Sequence, residues 1–499
     1  MSARPIDDMP ANPSPHVQIF FSDIFGIDPN VLEEYGALNI SLVNDLPLFI
    51  DPFLLFNSED PTYAALHEDM IRYLRFLRDR ASEGIIDDGL LEAWFTFREV
   101  KQNWLGFSVV GNGGSGLGMD FAKALHSNLN TIFASFGNEQ ITKGTHIEKL
   151  CLIKDGVGRD NISDFTTNLI KHFLLSYTQE FTRQYIPAQM SRLWPVEKVT
   201  FNYETRSWTT GRFLLPTIEN DFVILTPKNI LTRDDTWINR IDFINRFDDI
   251  TRGLPNDALR SQIDDYFREQ LSREPKEKEI RTARARTAMK YPILIEQYIK
   301  GKEENDDEAR AASDLDVAAI EKVFIEGAGR LVAGLSQTDF YLLSGNTLDE
   351  AKARALFFKD IIENKDGYRA LYYPDGEPIG RESQLQVMYR LVWIGTGSDV
   401  NREVNNGRGP ADFTVSRGVS DKTVVELKLA RNSRLEQNLA KQAEIYARAS
   451  NAQHKLKVII YFNDNERSRV NDILKRLDLI GNPDIILVDA RPKVSASLA

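Results

Sequence analysis

The alternation of apolar and polar residues is sharpest in the C-terminal third of the chain. An apolar stripe made of Leu385, Met388, Leu391 and Val392 predicts a helix from about Arg381 to Trp393. The elements predicted after it are strands at Asp399–Val404, Asp412–Ser416 and Thr423–Leu429, a helix at Ser433–Ala449, a strand at Lys455–Phe462, a helix at Glu466–Leu477 and a strand at Asp484–Val488. A three-strand meander followed by a helical crossover implies a mixed sheet flanked by helices.

The preceding two thirds of the chain mix helical periodicity with short β-rich runs. Helices are predicted at Tyr63–Arg80, Asp164–Tyr185, after Trp237, within the strongly charged Pro255–Lys300, and near Leu315–Leu335 and Leu348–Glu363. Strands are predicted at Lys198–Tyr203 and Asp221–Leu225. The fold class is therefore α/β (or α+β), with a larger mixed N-terminal region of unassigned fold ahead of the C-terminal sheet.

Composition shifts suggest where the chain divides. The proline-rich residues 1–15 are expected to form a flexible arm, and residues 16–300 an N-terminal α/β region for recognition, sensing or assembly. The acid-rich run Gly301–Glu308 predicts an exposed loop or linker, so residues 301–345 are assigned to a linker and helix. Residues 346–499 form the predicted C-terminal domain.

The bulk composition narrows the class of protein. With 42% hydrophobic and 27% charged residues, the 499-residue chain is expected to fold rather than to be disordered. Its single cysteine, Cys151, excludes intramolecular disulfides and cysteine-rich zinc sites. No signal-peptide pattern and no apolar run of membrane-spanning length occur, so we expect a cytoplasmic protein without a membrane partner.

Charge is distributed unevenly along the chain. The net charge of −12 argues against a generally basic nucleic-acid-binding surface. Of the 61 basic and 73 acidic residues, the segment from Gly345 to the C-terminus holds 24 and 21, so it carries +3 and the remainder −15. The C-terminal segment is therefore the less acidic part, which is compatible with a local basic groove.

The segment Val404–Lys428 contains the candidate chemistry. A hairpin through Arg417–Asp421 would bring Asp412 to the same sheet edge as Glu426, and alternation along the strand puts Glu426 and Lys428 on one face. Two carboxylates beside a lysine, with the backbone carbonyl of Leu427 as a further oxygen ligand, suit Mg²⁺. A site of this kind is what phosphodiester hydrolysis requires. Charged residues on a strand can also simply face water, which is the plainer interpretation.

Together, Pro410-Ala411-Asp412 and Glu426-Leu427-Lys428 resemble the bipartite signature of the PD-(D/E)XK nuclease superfamily. One residue separates Pro410 from Asp412, a relaxation of the strict Pro-Asp pattern. The resemblance implies a restriction-endonuclease-like core, in which the first helix often supplies a third carboxylate. Glu382 matches that position; Glu377, in the preceding turn, and Glu403, on the first strand, are the alternatives.

A second match extends the resemblance to RecB-type members of that superfamily. Gln442 and Tyr446 fit their Gln-x-x-x-Tyr motif on the helix after the catalytic strand. At positions i and i+4 the two side chains share one helix face, so both could support the active site or contact substrate. An ordinary amphipathic helix would also produce this pair.

The resemblance implies a Mg²⁺-dependent nuclease, with Mn²⁺ as a substitute ion and Asp412, Glu426, Glu382 and the Leu427 carbonyl as metal ligands. Lys428 would act at the attacking water and the scissile phosphate. DNA is favoured over RNA, in prokaryotic restriction or antiviral defence, and a homo-oligomer or partner proteins are left open.

Two alternatives remain. One is a nuclease-like module that has lost catalysis and only binds nucleic acid. The other is a nucleotide-regulated protein acting through the glycine-rich loop Gly111–Gly116, although this loop lacks the Walker lysine and is not followed by the acidic residue of a dinucleotide site.

Overall fold

The structure is a computed structural model. It describes residues 19–42, 45–84, 86–106, 117–132, 139–153, 159–218, 221–233, 236–272, 274–327, 329, 346–364, 367–373, 376–380, 382–393, 399–401, 413–417, 421–440 and 454–493. The predicted N-terminal arm, Gly111–Gly116, Glu403, Asp412, Gln442 and Tyr446 lie outside these residues.

Helices dominate the described part of the front region. They are α1 (Phe21–Phe25), α2 (Pro29–Tyr35), α3 (Pro52–Phe56), α4 (Pro61–Ser82), α5 (Asp88–Phe95), α6 (Met119–Ile132), α7 (Lys149–Ile153), α8 (Arg159–Leu169), α9 (Lys171–Tyr185), α10 (Arg240–Asn245), α11 (Phe247–Arg252), α12 (Asp257–Glu269), α13 (Glu277–Lys290), α14 (Ile293–Glu303) and α15 (Asp306–Ile320). A π-helical turn, Glu321–Gly327, follows α15.

The same region contains small sheets. Their strands are β1 (Phe49–Ile50), β2 (Ser191–Val196), β3 (Phe201–Asn202), β4 (Ser207–Trp208), β5 (Gly211–Ile218), β6 (Asp221–Phe222) and β7 (Leu231–Thr232). Strand β5 pairs with β2 and β6, while β1 pairs with β7 and β3 with β4, all antiparallel.

The C-terminal part consists of one mixed sheet between helices. Its elements are α16 (Thr347–Asn364), α17 (Glu382–Arg390), β8 (Asp399–Asn401), β9 (Phe413–Arg417), β10 (Asp421–Leu429), β11 (His454–Tyr461), α18 (Asp464–Arg476) and β12 (Ile485–Asp489). Residues 435–440, between β10 and β11, are helical. The described strands are ordered β12-β11-β10-β9-β8, with β8, β9 and β10 antiparallel and β10, β11 and β12 parallel.

Local chemistry explains where several of these elements begin. The side chain of Asp60 accepts a hydrogen bond from the Thr62 amide, and Pro61 occupies the first position of α4. The side chain of Asn463 caps α18 in the same way by accepting from the Glu466 amide. These signals agree with the predicted starts of both helices to within two residues.

The two faces of the C-terminal sheet bury different clusters. Val425, Leu427 and Leu429 of β10 belong to the main core, on the face that α16 covers. On the opposite face, Ile459 and Tyr461 of β11 join a smaller cluster with α18 and residues 435–440. Burial on both faces is typical of the parallel part of a sheet.

The main apolar core is continuous between the front region and the C-terminal sheet. It includes Phe324 of the π-helical turn, Leu371 of the 3₁₀ turn Gly367–Leu371, and residues of α16 and β10. The turns are packed so closely that a Cβ added at Gly327 would lie 2.8 Å from the Cβ of Ala370. We call this the shared core.

The mixed α/β class predicted from the sequence is confirmed, and the predicted C-terminal order of helices and strands is present where described. Gly301–Glu308, predicted to be an exposed loop or linker, is mostly helical: only Glu304 and Asn305 separate α14 from α15, and these two residues are exposed, as are Asp307 and Glu308. Helix α14 extends to Glu303, and the side chains of Lys302 and Glu303 are buried. Glu303 accepts hydrogen bonds from the Lys143 and Gly144 amides, so distant parts of the chain satisfy its charge. Of the described helices, none combines the length and apolar composition needed to cross a bilayer.

Candidate active site on the C-terminal sheet

Strand β10 places Glu426 and Lys428 on one face of the sheet. Their neighbours Val425, Leu427 and Leu429 point to the other face and fill the shared core, as the alternation of a strand requires. Glu426 is 4% exposed and Lys428 is 9% exposed. Burying charged groups is unfavourable unless they are paired, and these two side chains do not belong to a solvated strand edge.

A second lysine faces the same cluster from the neighbouring strand. Lys457 of β11 is in register with Glu426, and it is also buried. Burial lowers the pKa of Lys457; the Glu426 carboxylate opposes this effect, and the Lys428 ammonium adds to it. We missed Lys457 in the sequence, although the alternation of Lys455 and Lys457 with Leu456 and Val458 marked it as a charge on an otherwise apolar strand.

Glu382, the first residue of α17, is brought to the C-terminal end of β10. Its Oε1 accepts hydrogen bonds from the Leu429 amide at 3.2 Å and from Nδ2 of Asn432 at 2.8 Å. Its Oε2 lies 3.4 Å from Nζ of Lys428. A carboxylate in the first turn of a helix also interacts favourably with the helix dipole. The structure therefore joins the predicted first-helix carboxylate to the predicted lysine.

The alternative carboxylates take other positions. Glu377 lies in the turn ahead of α17, where its carbonyl accepts a hydrogen bond from the Tyr373 amide at 2.8 Å. Glu403 is outside the described residues.

The backbone of β10 contributes polar groups to this site along the edge that faces β9. The last pair of the described ladder is Phe413 with Val425. Beyond it, the Leu429 amide is bound by Glu382, whereas the following amide, of Ala430, donates to Ile460 of β11 at 2.8 Å. Because backbone groups alternate between the two sides of a strand, the carbonyl of Leu427 points to the same edge as the Leu429 amide.

The turn after β10 is held by arginines that the sequence analysis did not single out. Arg469 of α18 donates to the carbonyls of Ala430 and Asn432 at 3.0 and 2.8 Å. Arg431 donates to the carbonyl of Ile379 at 2.7 Å, just ahead of α17. These bonds fix the backbone around Asn432, which in turn orients the carboxylate of Glu382.

The described donors are suitable for a hard divalent cation but do not complete a site for one. Glu382, Glu426 and the Leu427 carbonyl offer oxygen ligands, which Mg²⁺ and Mn²⁺ prefer. Among the described residues, no group of three or more His, Cys, Asp or Glu side chains lies close enough to hold a metal ion. Asp412, the other predicted ligand, lies outside that set, as do the supporting Gln442 and Tyr446.

Comparison with known proteins identifies two matching family models. Residues 26–239 are similar to a domain of unknown function, DUF8370, and residues 347–464 to another, DUF8371. The second range contains α17, β10 and the residues of the candidate site as far as Lys457. The searches of curated proteins and of solved structures found no match.

Proposed function

We propose that the C-terminal sheet carries a metal-dependent phosphodiesterase site and that the protein is a nuclease. The observation that best supports the proposal is a series of neighbouring charges: Nζ of Lys428 lies 3.4 Å from Oε2 of Glu382, and Lys457 interacts with both Glu426 and Lys428. These charges come from a helix and two strands that are far apart in sequence. Such convergence in a largely buried setting is typical of functional sites.

In this proposal Glu426, Glu382, Asp412 and the Leu427 carbonyl hold Mg²⁺ or Mn²⁺. The ion would lower the pKa of a bound water and stabilise charge on the phosphoryl oxygens. Lys428 lies beside Glu382, where its ammonium would orient the attacking water and offset negative charge on the scissile phosphate. Asn432 keeps the Glu382 carboxylate in place through its 2.8 Å hydrogen bond.

The charge balance of the cluster is consistent with this assignment. The charges of the two described carboxylates equal those of the two lysines, so these four groups are neutral together without a metal ion. A carboxylate from Asp412 would add a negative charge, and one divalent cation together with one phosphodiester charge would return the total to zero. A binding site for both ion and substrate can therefore be neutral when filled, which limits the cost of burying it.

Covalent connection also favours the participation of Asp412. Asp412 precedes Phe413 in the sequence, and Phe413 is paired with Val425, the residue before Glu426.

The substrate and the biological setting rest on the resemblance to PD-(D/E)XK nucleases. We favour DNA over RNA, with restriction or antiviral defence as the setting. The decisive assay uses the purified full-length protein with supercoiled DNA, linear DNA and RNA, each with Mg²⁺, with Mn²⁺ and with EDTA. Cleavage that requires the metal is expected; nucleic-acid binding without cleavage would favour the inactive binding module instead.

Substitution of Lys428 tests the site within that assay. Lys428→Ala should lower the cleavage rate roughly a hundred- to ten-thousandfold, the usual contribution of a positioned catalytic group. Lys422→Ala is the matched control, because Lys422 lies on the same strand with the same alternation but at its opposite end. Circular dichroism would establish that both variants are folded. Full activity in Lys428→Ala would refute the assignment of this residue.

A further inference from the structure

A cavity of about 420 Å³ lies in the front region, away from the C-terminal sheet. It is lined by α5, by residues at the junction of α8 and α9, and by the turn between β2 and β3. Three basic side chains line it, those of Arg98, Lys171 and Lys198. Its volume falls in the range of small-molecule sites in proteins.

Lys171 is the most unusual of the three. It is the first residue of α9 and is 9% exposed. Its Nζ donates to the carbonyl of Glu197 at 3.3 Å. No ion pair found among the described residues includes Lys171. An ammonium has three hydrogens to donate, and a buried cation without an opposite charge is unfavourable.

Lys198 brings a second positive charge close to the first. Its Nζ donates to the carbonyl of Thr96 at 3.3 Å, and its backbone has a positive φ of 51°. Burial and, to a lesser degree, the ammonium of Lys198 lower the pKa of Lys171 to about 8, although the Glu197 carboxylate opposes them. Burial also lowers the pKa of Lys198, with Arg98 as a second cause. Lys198 is thus near enough to Lys171 and to Arg98 for its charge to repel both.

The carboxylates near these cations do not neutralise the interior of the cavity. Glu92 and Glu197 also line it; both favour the charged form of Lys198, and Glu197 also favours the charged form of Lys171. Both residues are exposed to solvent, however, whereas Lys171 is buried. Lys171 therefore places a positive charge at the inner wall of the cavity, whereas Arg98, like the two glutamates, is exposed at its rim.

The geometry points to a binding site for a phosphate-type oxyanion, held by Lys171, Lys198 and Arg98. Among the hydrogen bonds of the described residues, each lysine donates one hydrogen to a backbone carbonyl, which leaves two for a ligand. The guanidinium of Arg98 adds the planar donor pair that suits phosphate oxygens. Because Lys171 is nine-tenths buried, the ligand is a free phosphate or a small phosphomonoester rather than the backbone of a nucleic-acid strand. The site is independent of the proposed nuclease activity.

Thermal unfolding of the full-length protein with inorganic phosphate, against sodium chloride of equal ionic strength, tests the site. Phosphate should raise the midpoint of the wild-type protein, and titration calorimetry gives its dissociation constant. Lys171→Met should weaken binding by roughly tenfold or more, because a hydrogen bond to a charged group is lost. That variant replaces a buried charge by an apolar side chain of similar length, so it is expected to fold. Lys198→Ala, at a half-exposed position, provides a second test.

Lys278→Met, at an exposed position on α13, is the control and should bind phosphate as the wild type does. Equal stabilisation of the wild type, Lys171→Met and Lys198→Ala would overturn the proposal, as would the lack of any phosphate effect on the wild type. Adenosine monophosphate distinguishes between free phosphate and a phosphomonoester as the ligand. If it binds more tightly than phosphate, the ligand is a phosphomonoester; if it binds equally or more weakly, the ligand is phosphate itself. Retained nuclease activity in Lys171→Met would separate this site from the C-terminal one.

Discussion

Glu148 is a buried acid whose replacement should change how stability depends on pH. Its side chain is 0% exposed, and the amides of Phe53 and of Glu148 itself are the backbone groups that favour its charged form. The neighbouring Asp51 is buried as well, and it accepts hydrogen bonds from the Phe53 and Trp237 amides at 3.0 and 2.6 Å. Burial raises the pKa of Glu148 well above its ordinary value, and the Asp51 carboxylate raises it further.

The direction of the effect follows from proton binding in the two states. Above its ordinary pKa of 4.5, Glu148 is deprotonated in the unfolded chain but still protonated in the folded protein. The free energy of unfolding therefore falls as the pH rises, by about 1.4 kcal/mol for each pH unit, until the pKa of the folded state is reached. Below the ordinary pKa both states bind the proton, so this contribution to stability is fully present there.

Glu148→Gln keeps the size of the side chain and removes its titration. We expect the variant to match the wild type near pH 4, and to be more stable by a growing margin as the pH rises. Urea unfolding followed by tryptophan fluorescence, from pH 4 to pH 8, measures this margin. The pKa of Asp164 is raised to about 7 mainly by burial, and its effect is common to both proteins, so it cancels in the difference. Glu274→Gln, at an exposed position, is the control. If the curves of Glu148→Gln and wild type run parallel over the whole range, the reasoning is refuted.

Two further substitutions test contacts around the C-terminal sheet. Glu350 and Arg354 form an ion pair with both side chains 0% exposed, and Glu350 also pairs with Arg417. Glu350→Ala leaves these arginine charges without their carboxylate, so it should lower the free energy of unfolding, measured with urea, by about 3–5 kcal/mol. The double variant Glu350→Leu, Arg354→Met should lose less of the free energy of unfolding than Glu350→Ala does, because it removes both charges. A Glu350→Ala protein within about 1 kcal/mol of the wild type would contradict the prediction. Asn432→Ala should reduce cleavage roughly tenfold by releasing Glu382 with little change in the urea midpoint, and unchanged kinetics would show that Asn432 does not position the carboxylate.

The sequence was informative wherever one short pattern decided the structure. The alternation around Glu426 predicted both the strand and the face on which Lys428 lies, because each depends only on neighbouring residues. The hairpin from Arg417 to Asp421 was predicted in the same way, and these two residues are paired in the sheet. The helix that begins at Glu382 was likewise predicted from the apolar stripe of Leu385 and Met388.

Features that depend on distant contacts could not be read from the sequence. Lys457 became part of the candidate site only through the register of β10 with β11. The acid-rich composition of Gly301–Glu308 indicated exposure, yet Nε2 of His146 lies 2.8 Å from Oε1 of the buried Glu303. Composition reports the average cost of burying a residue type, whereas these residues are buried because particular partners offset that cost.

The shared core limits how this protein can be rearranged by recombination. Phe324 and Leu371, on opposite sides of the predicted boundary at residue 346, are 2% and 0% exposed. A recombination crossover at that boundary would combine the π-helical turn of one parent protein with the 3₁₀ turn of another. These turns would not have evolved to pack together, and the contact at Gly327 leaves little space for a different neighbour. The two halves should therefore be inherited together, with substitutions along their junction correlated between them.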